Sequence, residues 1–274
     1  MISAPFRYVR AESTGHALGV LTEHGDEAKL LAGGQSLLPI LKLRLARPEV
    51  LLDISRLAEL AHIRVEGDEV AIGAATRHCD VVDSEDLRRE VPLLPHVAAL
   101  VGDRQIRHRG TFGGSLVHGD PAADLPAAVL ALGATFVVQG PSGSRRVHAP
   151  DFFTGYFQTA VRDDELLVEV RVPRAAGVAW AYEKFTRRAN DWAIVAVAVV
   201  DGRVALANMG ATPLRATATE QALASGTSLA EAAEQAADGT SPVEDMHADR
   251  DYRRHLARVL TGRALTRAHP ARAL

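Results

Sequence analysis

Apolar positions recur at helical spacing in the first clear segment, where Ala17, Leu18, Val20 and Leu21 make one face. Ser13 or Thr14 can cap that helix and Gly25 ends it. A run of strand length follows, Lys29-Leu30-Leu31-Ala32, and breaks at Gly33-Gly34-Gln35-Ser36. The next apolar run, Leu37 to Leu41, reads as a helix with Pro39 in its first turn. Val50 to Ile54 has the pattern of a buried strand, and His62 to Gly73 alternates around Gly67-Asp68 as a hairpin does. Thr76 is placed to cap a helix carrying Cys79, Val81 and Val82, and Pro92 to Val101 predicts another that stops at Gly102. Asp120-Pro121 reads as an N-cap and first-turn pair opening a helix that runs through Leu125, Val129 and Leu132 to Gly133.

Further on, 136–139 and 145–148 flank Gly140-Pro141-Ser142-Gly143 as a second hairpin, and Leu166 to Val172 is a strand ended by Pro173. Ala193 to Val200 and Arg203 to Ala207 flank Asp201-Gly202, a strong hairpin signal. The tail turns helical and Ala-rich over Thr217–Ala224, Leu229–Ala237 and Ala248–Ala264. Strands, hairpins and helices mixed irregularly predict an α+β fold rather than a doubly wound parallel sheet. The 274 residues suit two domains, and Pro-Arg-Ala-Ala-Gly at 173–177 interrupts the pattern, so the expected division is 1–173 and 174–274.

Composition narrows the function classes. Lys plus Arg is 31 and Asp plus Glu is 34, a net charge of −3, which excludes nucleic-acid binding through a broad basic field. Residues 245–274 hold seven Arg against three Asp, which reads as a solvated helix face. One cysteine, Cys79, excludes a disulfide framework and any all-cysteine iron–sulfur or zinc site within the chain. The segment from Met1 to Pro5 lacks signal-peptide features, and no apolar run approaches the roughly 18 residues a membrane span needs. A reducing, cytoplasmic setting is the expectation. The 11 histidines form no H-x-x-x-H pair, so no metal site is expected. No G-x-S-x-G elbow points to a hydrolase, and Cys79 reads as an inert core thiol.

The chemistry concentrates in two glycine-rich bends, Gly33-Gly34-Gln35-Ser36 and Thr111-Phe112-Gly113-Gly114-Ser115. Backbone N–H groups at such bends can approach an anionic diphosphate closely, and the hydroxyls of Ser36, Thr111 and Ser115 can add donors. A single Gly-Gly bend is more often a tight corner than a ligand site. Neither G-x-G-x-x-G nor G-x-x-x-x-G-K-[ST] is present, so any dinucleotide is held by another architecture. Asp124 either favours a helix N-terminus by charge or accepts hydrogen bonds from ribose or ribityl hydroxyls. Trp192 either packs in the core or stacks on a flat conjugated ring.

Taken together, Ala32-Gly33-Gly34-Gln35-Ser36 with Leu37-Leu38-Pro39, Gln105-Ile106-Arg107 through Ser115, and Gly119 to Pro126 resemble the FAD-binding (medium) subunit of molybdenum hydroxylases, above all the carbon monoxide dehydrogenase type. The likeness extends to Tyr182-Glu183-Lys184-Phe185 and Asp191-Trp192-Ala193. It implies a two-part FAD-binding domain of the vanillyl-alcohol-oxidase (PCMH) type followed by a smaller α/β C-terminal domain. It also implies FAD contacts from Ala32, Gly33, Gly34, Gln35, Ser36 and Leu37 in the first bend, from Thr111, Phe112, Gly113, Gly114 and Ser115 in the second, and from Asp124 and Trp192. Gln35, Phe112 and Trp192 stand where the carbon monoxide enzymes have His, Ile and Tyr. The implied partners are a molybdopterin large subunit and a small subunit with two [2Fe–2S] clusters, in a dimer of heterotrimers. The implied role is an oxidoreductase subunit passing electrons from the clusters through FAD to NAD, quinone or dioxygen, with no catalytic side chain of its own. A stand-alone FAD oxidoreductase and a non-catalytic assembly protein remain the alternatives from the residues alone.

Overall fold

The computed structural model describes residues 2–269. Three larger sheets and one two-stranded hairpin, Phe153–Gly155 with Gln158–Thr159, organise the described residues. The first is parallel, with Val50–Asp53 between Arg7–Arg10 and Ala28–Leu31. Its central strand is buried throughout its first three residues, as a parallel strand covered on both faces must be. Helix Thr14–His24, capped by Ser13, lays Ala17, Leu18 and Leu21 into a core with Val50, Leu52, Ile54 and Leu57.

The second sheet has five antiparallel strands in the order Ile63–Glu66, Glu69–Gly73, Leu166–Pro173, Thr135–Gly140, Gly143–His148. The third has four, in the order Trp180–Phe185, Val195–Val200, Arg203–Ala207, Leu214–Arg215, again antiparallel. Asp201 and Gly202 both have positive φ, 49° and 77°, the backbone that a tight two-residue hairpin requires.

Strand Val195–Val200 explains its own unbroken apolar run. Val195, Val197 and Val199 enter the core beneath helix Arg250–Ala268, whereas Ala196, Ala198 and Val200 enter the core shared with the second sheet. The small residues face helix Asp124–Leu132, all nine of whose residues are buried against both the third sheet and helix Leu93–Ala99. That helix therefore joins the earlier and later parts of the chain.

The α+β reading and the hairpins agree with the observed elements. Several boundaries move. The long apolar helix begins at Asp124, not after Asp120: the Asp120 carboxylate accepts from the Ala122 N–H at 2.9 Å in a local turn, and Ala123 is the N-cap. Helix His78–Asp83 is capped at Arg77 rather than Thr76, and it buries His78 and Val81 while Cys79 is only half-buried. The Ala193 strand begins at Val195, leaving Trp192 outside it.

Candidate functional site

The first bend joins strand Ala28–Leu31 to helix Leu37–Lys42. Gly34 sits at φ +75°, a conformation that glycine adopts without strain, and a Cβ there would lie 2.9 Å from Leu38 Cδ1. The helix is tied on by the Leu38 N–H donating to the Gly34 carbonyl at 3.0 Å. Among the described residues, the amides from Gly33 to Leu37 donate to no acceptor of the chain. Five consecutive N–H groups are thus left for a ligand or solvent.

The second bend is built differently. Asp103 caps helix Arg104–Arg109, and after Gly110 the Thr111 hydroxyl caps helix Phe112–His118 by accepting from the Gly114 N–H at 3.2 Å. The Phe112 amide donates to the Thr76 carbonyl at 2.8 Å, Gly113 to Ala74 at 2.9 Å and Ser115 to Thr111 at 3.0 Å. These amides are therefore spent inside the chain, contrary to the expectation that they face a diphosphate. Gly113 is required for packing, because a Cβ there would meet the Ala74 Cβ at 2.5 Å.

The two bends touch. A Cβ on Gly33 would fall 2.3 Å from the Arg109 carbonyl oxygen and 2.7 Å from Gly110 Cα, and one on Gly114 would reach Ala32 Cβ at 4.0 Å. Between and beyond them runs a groove of about 770 Å³, within the usual range for ligand and cofactor pockets. Its lining includes Ala32, Gly33, Gly34, Gln35, Ser36 and Leu37 from the first bend, Thr111, Gly113, Gly114 and Ser115 from the second, and Trp192. Trp192 is 56% exposed, which excludes core packing as its role. Phe157, at φ +55° on the hairpin tip between Phe153–Gly155 and Gln158–Thr159, is exposed beside it. Both rings also line a second cavity of about 430 Å³, so they stand where the two spaces meet.

Two expected contacts lie elsewhere. The Phe112 side chain is fully buried in the core and its amide is taken by Thr76. Asp124 is also buried and does not line the groove: one carboxylate oxygen accepts from the Tyr182 hydroxyl at 2.8 Å and the other from Lys184 Nζ at 2.8 Å. Lys184 also donates to the Leu100 carbonyl, so Asp124 links helix Asp124–Leu132 to strand Trp180–Phe185. Burial pushes the Asp124 carboxyl up, against the opposing pull of Lys184 and Tyr182, and sets the Tyr182 hydroxyl well above its ordinary value. Each carboxylate oxygen thus has a buried partner, and the group lies away from the groove lining.

Residues that sequence reasoning did not place in the site are His78 and Phe157 on the groove wall. Neither carries a local signal, since long-range packing brings both there. His118, the last residue of helix Phe112–His118, packs on Phe157 with ring centroids 4.9 Å apart. Burial lowers its pKa, with Asp120 acting in the opposite direction.

Comparison with known proteins fits this geometry. Residues 4–175 match the FAD binding domain in molybdopterin dehydrogenase, and residues 180–268 match the CO dehydrogenase flavoprotein C-terminal domain. The chain belongs to the family of FAD-binding medium subunits of molybdenum hydroxylases. It is 43% identical to the carbon monoxide dehydrogenase medium chain of Hydrogenophaga pseudoflava, over 98% of each chain. The xanthine dehydrogenase FAD-binding subunit of Escherichia coli O157:H7 is 28% identical over 95% of each. Among solved structures, carbon monoxide dehydrogenase from Hydrogenophaga pseudoflava superposes with a TM-score of 0.94 over 100% of both chains, at 43% identity. Quinoline 2-oxidoreductase from Pseudomonas putida 86 gives 0.93 over 100% of both, at 33%. The chain is an FAD-dependent oxidoreductase subunit, with an FAD-binding part ahead of a C-terminal flavoprotein part. The five free amides, the close glycine contacts and the exposed indole fit that cofactor's diphosphate and flat ring.

Proposed function

We propose that this chain is the electron-collecting flavoprotein of a molybdenum hydroxylase complex. It takes electrons from the [2Fe–2S] clusters of a small partner subunit, while a molybdopterin large subunit oxidises the substrate, in a dimer of heterotrimers. The observation that supports this most is the meeting of the two bends at a groove lined by the residues of the free amide run Gly33 to Leu37 and by Trp192. FAD, when bound, supplies the ability to accept electrons singly and release them in pairs to NAD, quinone or dioxygen. The chain's own residues bind and shield. Amides 33–37 would hold the diphosphate, with Ser36 and Ser115 adding hydroxyls. Trp192 and Phe157, which line the groove, would pack against the flat ring of FAD and limit water there. The second bend acts as a buttress for the first, so Gly110 and Gly113 contribute through packing. We divide the chain near residue 173 into an FAD-binding and a C-terminal domain, and place it in the reducing cytoplasm.

Purification of the chain followed by FAD titration tests this reading. The expected result is a yellow protein with one flavin per chain. A chain that takes up no FAD would refute it. Co-expression with candidate partners should yield a complex carrying molybdenum, iron and flavin together; a flavin-loaded monomer that oxidises an organic substrate directly would favour the stand-alone alternative.

A further inference from the structure

His78 is the titratable side chain lodged beside the junction of the two bends. Its backbone N–H donates to the Gly110 carbonyl at 3.0 Å, and a Cβ on Gly110 would meet its ring at 2.8 Å from Cδ2 and 3.1 Å from Nε2. Gly110 is in turn the residue on which Gly33 packs. The imidazole is 3% exposed yet lines the groove. Its Nδ1 is enclosed with no hydrogen-bond partner among the described residues, whereas Nε2 is not sealed in that way.

An enclosed N–H with no acceptor costs more than an enclosed lone pair. The proton of the neutral ring therefore belongs on Nε2, the nitrogen that is not enclosed without a partner. Burial and the nearby Arg107 hold the pKa down at about 4, so the ring is neutral near pH 7.

We infer that His78 is a cofactor-binding residue whose Nε2–H donates a hydrogen bond to a diphosphate oxygen of FAD at the crossing of the bends. This rests on the flavin reading above. It supplies the second bend with the donor that its own amides, spent on Thr76, Ala74 and Thr111, do not provide.

The test compares the full-length apoprotein with His78→Leu and His78→Gln in FAD titrations followed by flavin fluorescence. Gln keeps an N–H near the position of Nε2, and Leu has none. Leu should weaken FAD binding by roughly tenfold or more, the effect of removing a donor to a charged acceptor. Gln should stay within about threefold of the original chain. Equal affinity of the Leu variant and the original chain would overturn the inference and leave the flavin reading intact. Failure of the original chain to bind FAD would overturn both. If the Leu variant does not fold, 15N histidine spectra of the original chain decide. The resonance absent from the Gln variant should show an Nε2-protonated ring and should move on FAD addition. A ring protonated on Nδ1, or a resonance unmoved by FAD, would reject the proposal.

Discussion

The two glycine-rich bends look alike in sequence and differ in what their glycines do. In the first, Gly34 holds a left-handed backbone and the amides from Gly33 to Leu37 have no acceptor among the described residues. In the second, amides 112–115 are all satisfied by the chain, and Gly113 is present because Ala74 leaves no room for a Cβ. One bend leaves its amides unspent and the other spends them on the chain that packs against it. Gly-Gly-x-Ser and Gly-Gly-Ser thus report close approach without saying what approaches: the Arg109–Gly110 backbone at Gly33 and Ala74 at Gly113.

The sharpest way to break this contrast is at the contact itself. Gly33→Val would put a Cβ 2.3 Å from the Arg109 carbonyl, where only backbone can yield. The bends must separate, so flavin should be lost and stability should fall by about 3 kcal/mol or more. Gly114→Ala is the milder partner. Its Cβ meets only the Thr111 hydroxyl, at 2.5 Å, so it costs the cap, about 1 kcal/mol. Flavin content after purification together with thermal unfolding distinguishes them. Equal damage from both changes would mean that the bends are not support and surface.

Asp124 lies outside the contrast and measures its reach. Asp124→Ala leaves Lys184 buried without its counter-ion, which should destabilise by about 3 kcal/mol or more. FAD affinity of the folded fraction should be unchanged. A collapse of affinity with a steady melting temperature would put Asp124 back in the site, as the family resemblance implied.

Much of the fold was legible because its cues are local. Gly67-Asp68 and Asp201-Gly202 fixed two hairpins, and the run Val195–Val200 read as buried because its alternate residues face two cores. Strand Arg7–Arg10 was not legible: four mostly exposed residues, two of them Arg, are placed by pairing with the distant Val50–Asp53 and by Val9 packing on the first core. Asp120 misled because an Asx turn and an N-cap use the same carboxylate chemistry. In the site, the glycine spacing marked the bends, but the roles of Phe112, Asp124 and His78 depend on partners 36, 58 and 32 residues distant in Thr76, Tyr182 and Gly110. No window of sequence carries those contacts.

A pH titration of stability probes the support side of the junction. His78 has its folded pKa lowered from 6.5 to about 4, mainly by burial and also by Arg107. Above pH 6.5 folded and unfolded chains are both neutral at this ring and its contribution is fully present. As pH falls from 6.5 towards 4 the unfolded chain takes up the proton first, and stability should drop by up to about 3 kcal/mol. The His78→Gln variant should lack that part of the acid slope in urea unfolding at matched pH. An identical slope in both proteins would show that the buried imidazole titrates normally.

The smallest effect on folding should come from Trp192, at the ligand end of the groove. With 56% of its surface exposed and no place in a strand, Trp192→Ala removes little buried area, so stability should change by no more than about 0.5 kcal/mol. Binding should respond more. Aromatic stacking contributes about 0.5–1.5 kcal/mol beyond area, so FAD affinity should fall by up to roughly tenfold. Loss of the indole should also brighten the emission of bound flavin, because a stacked indole quenches it. That combination separates Trp192 from Gly33, where flavin and fold are lost together. A Trp192→Ala protein with unchanged flavin emission and affinity would assign the indole to the neighbouring 430 Å³ cavity instead, which it also lines.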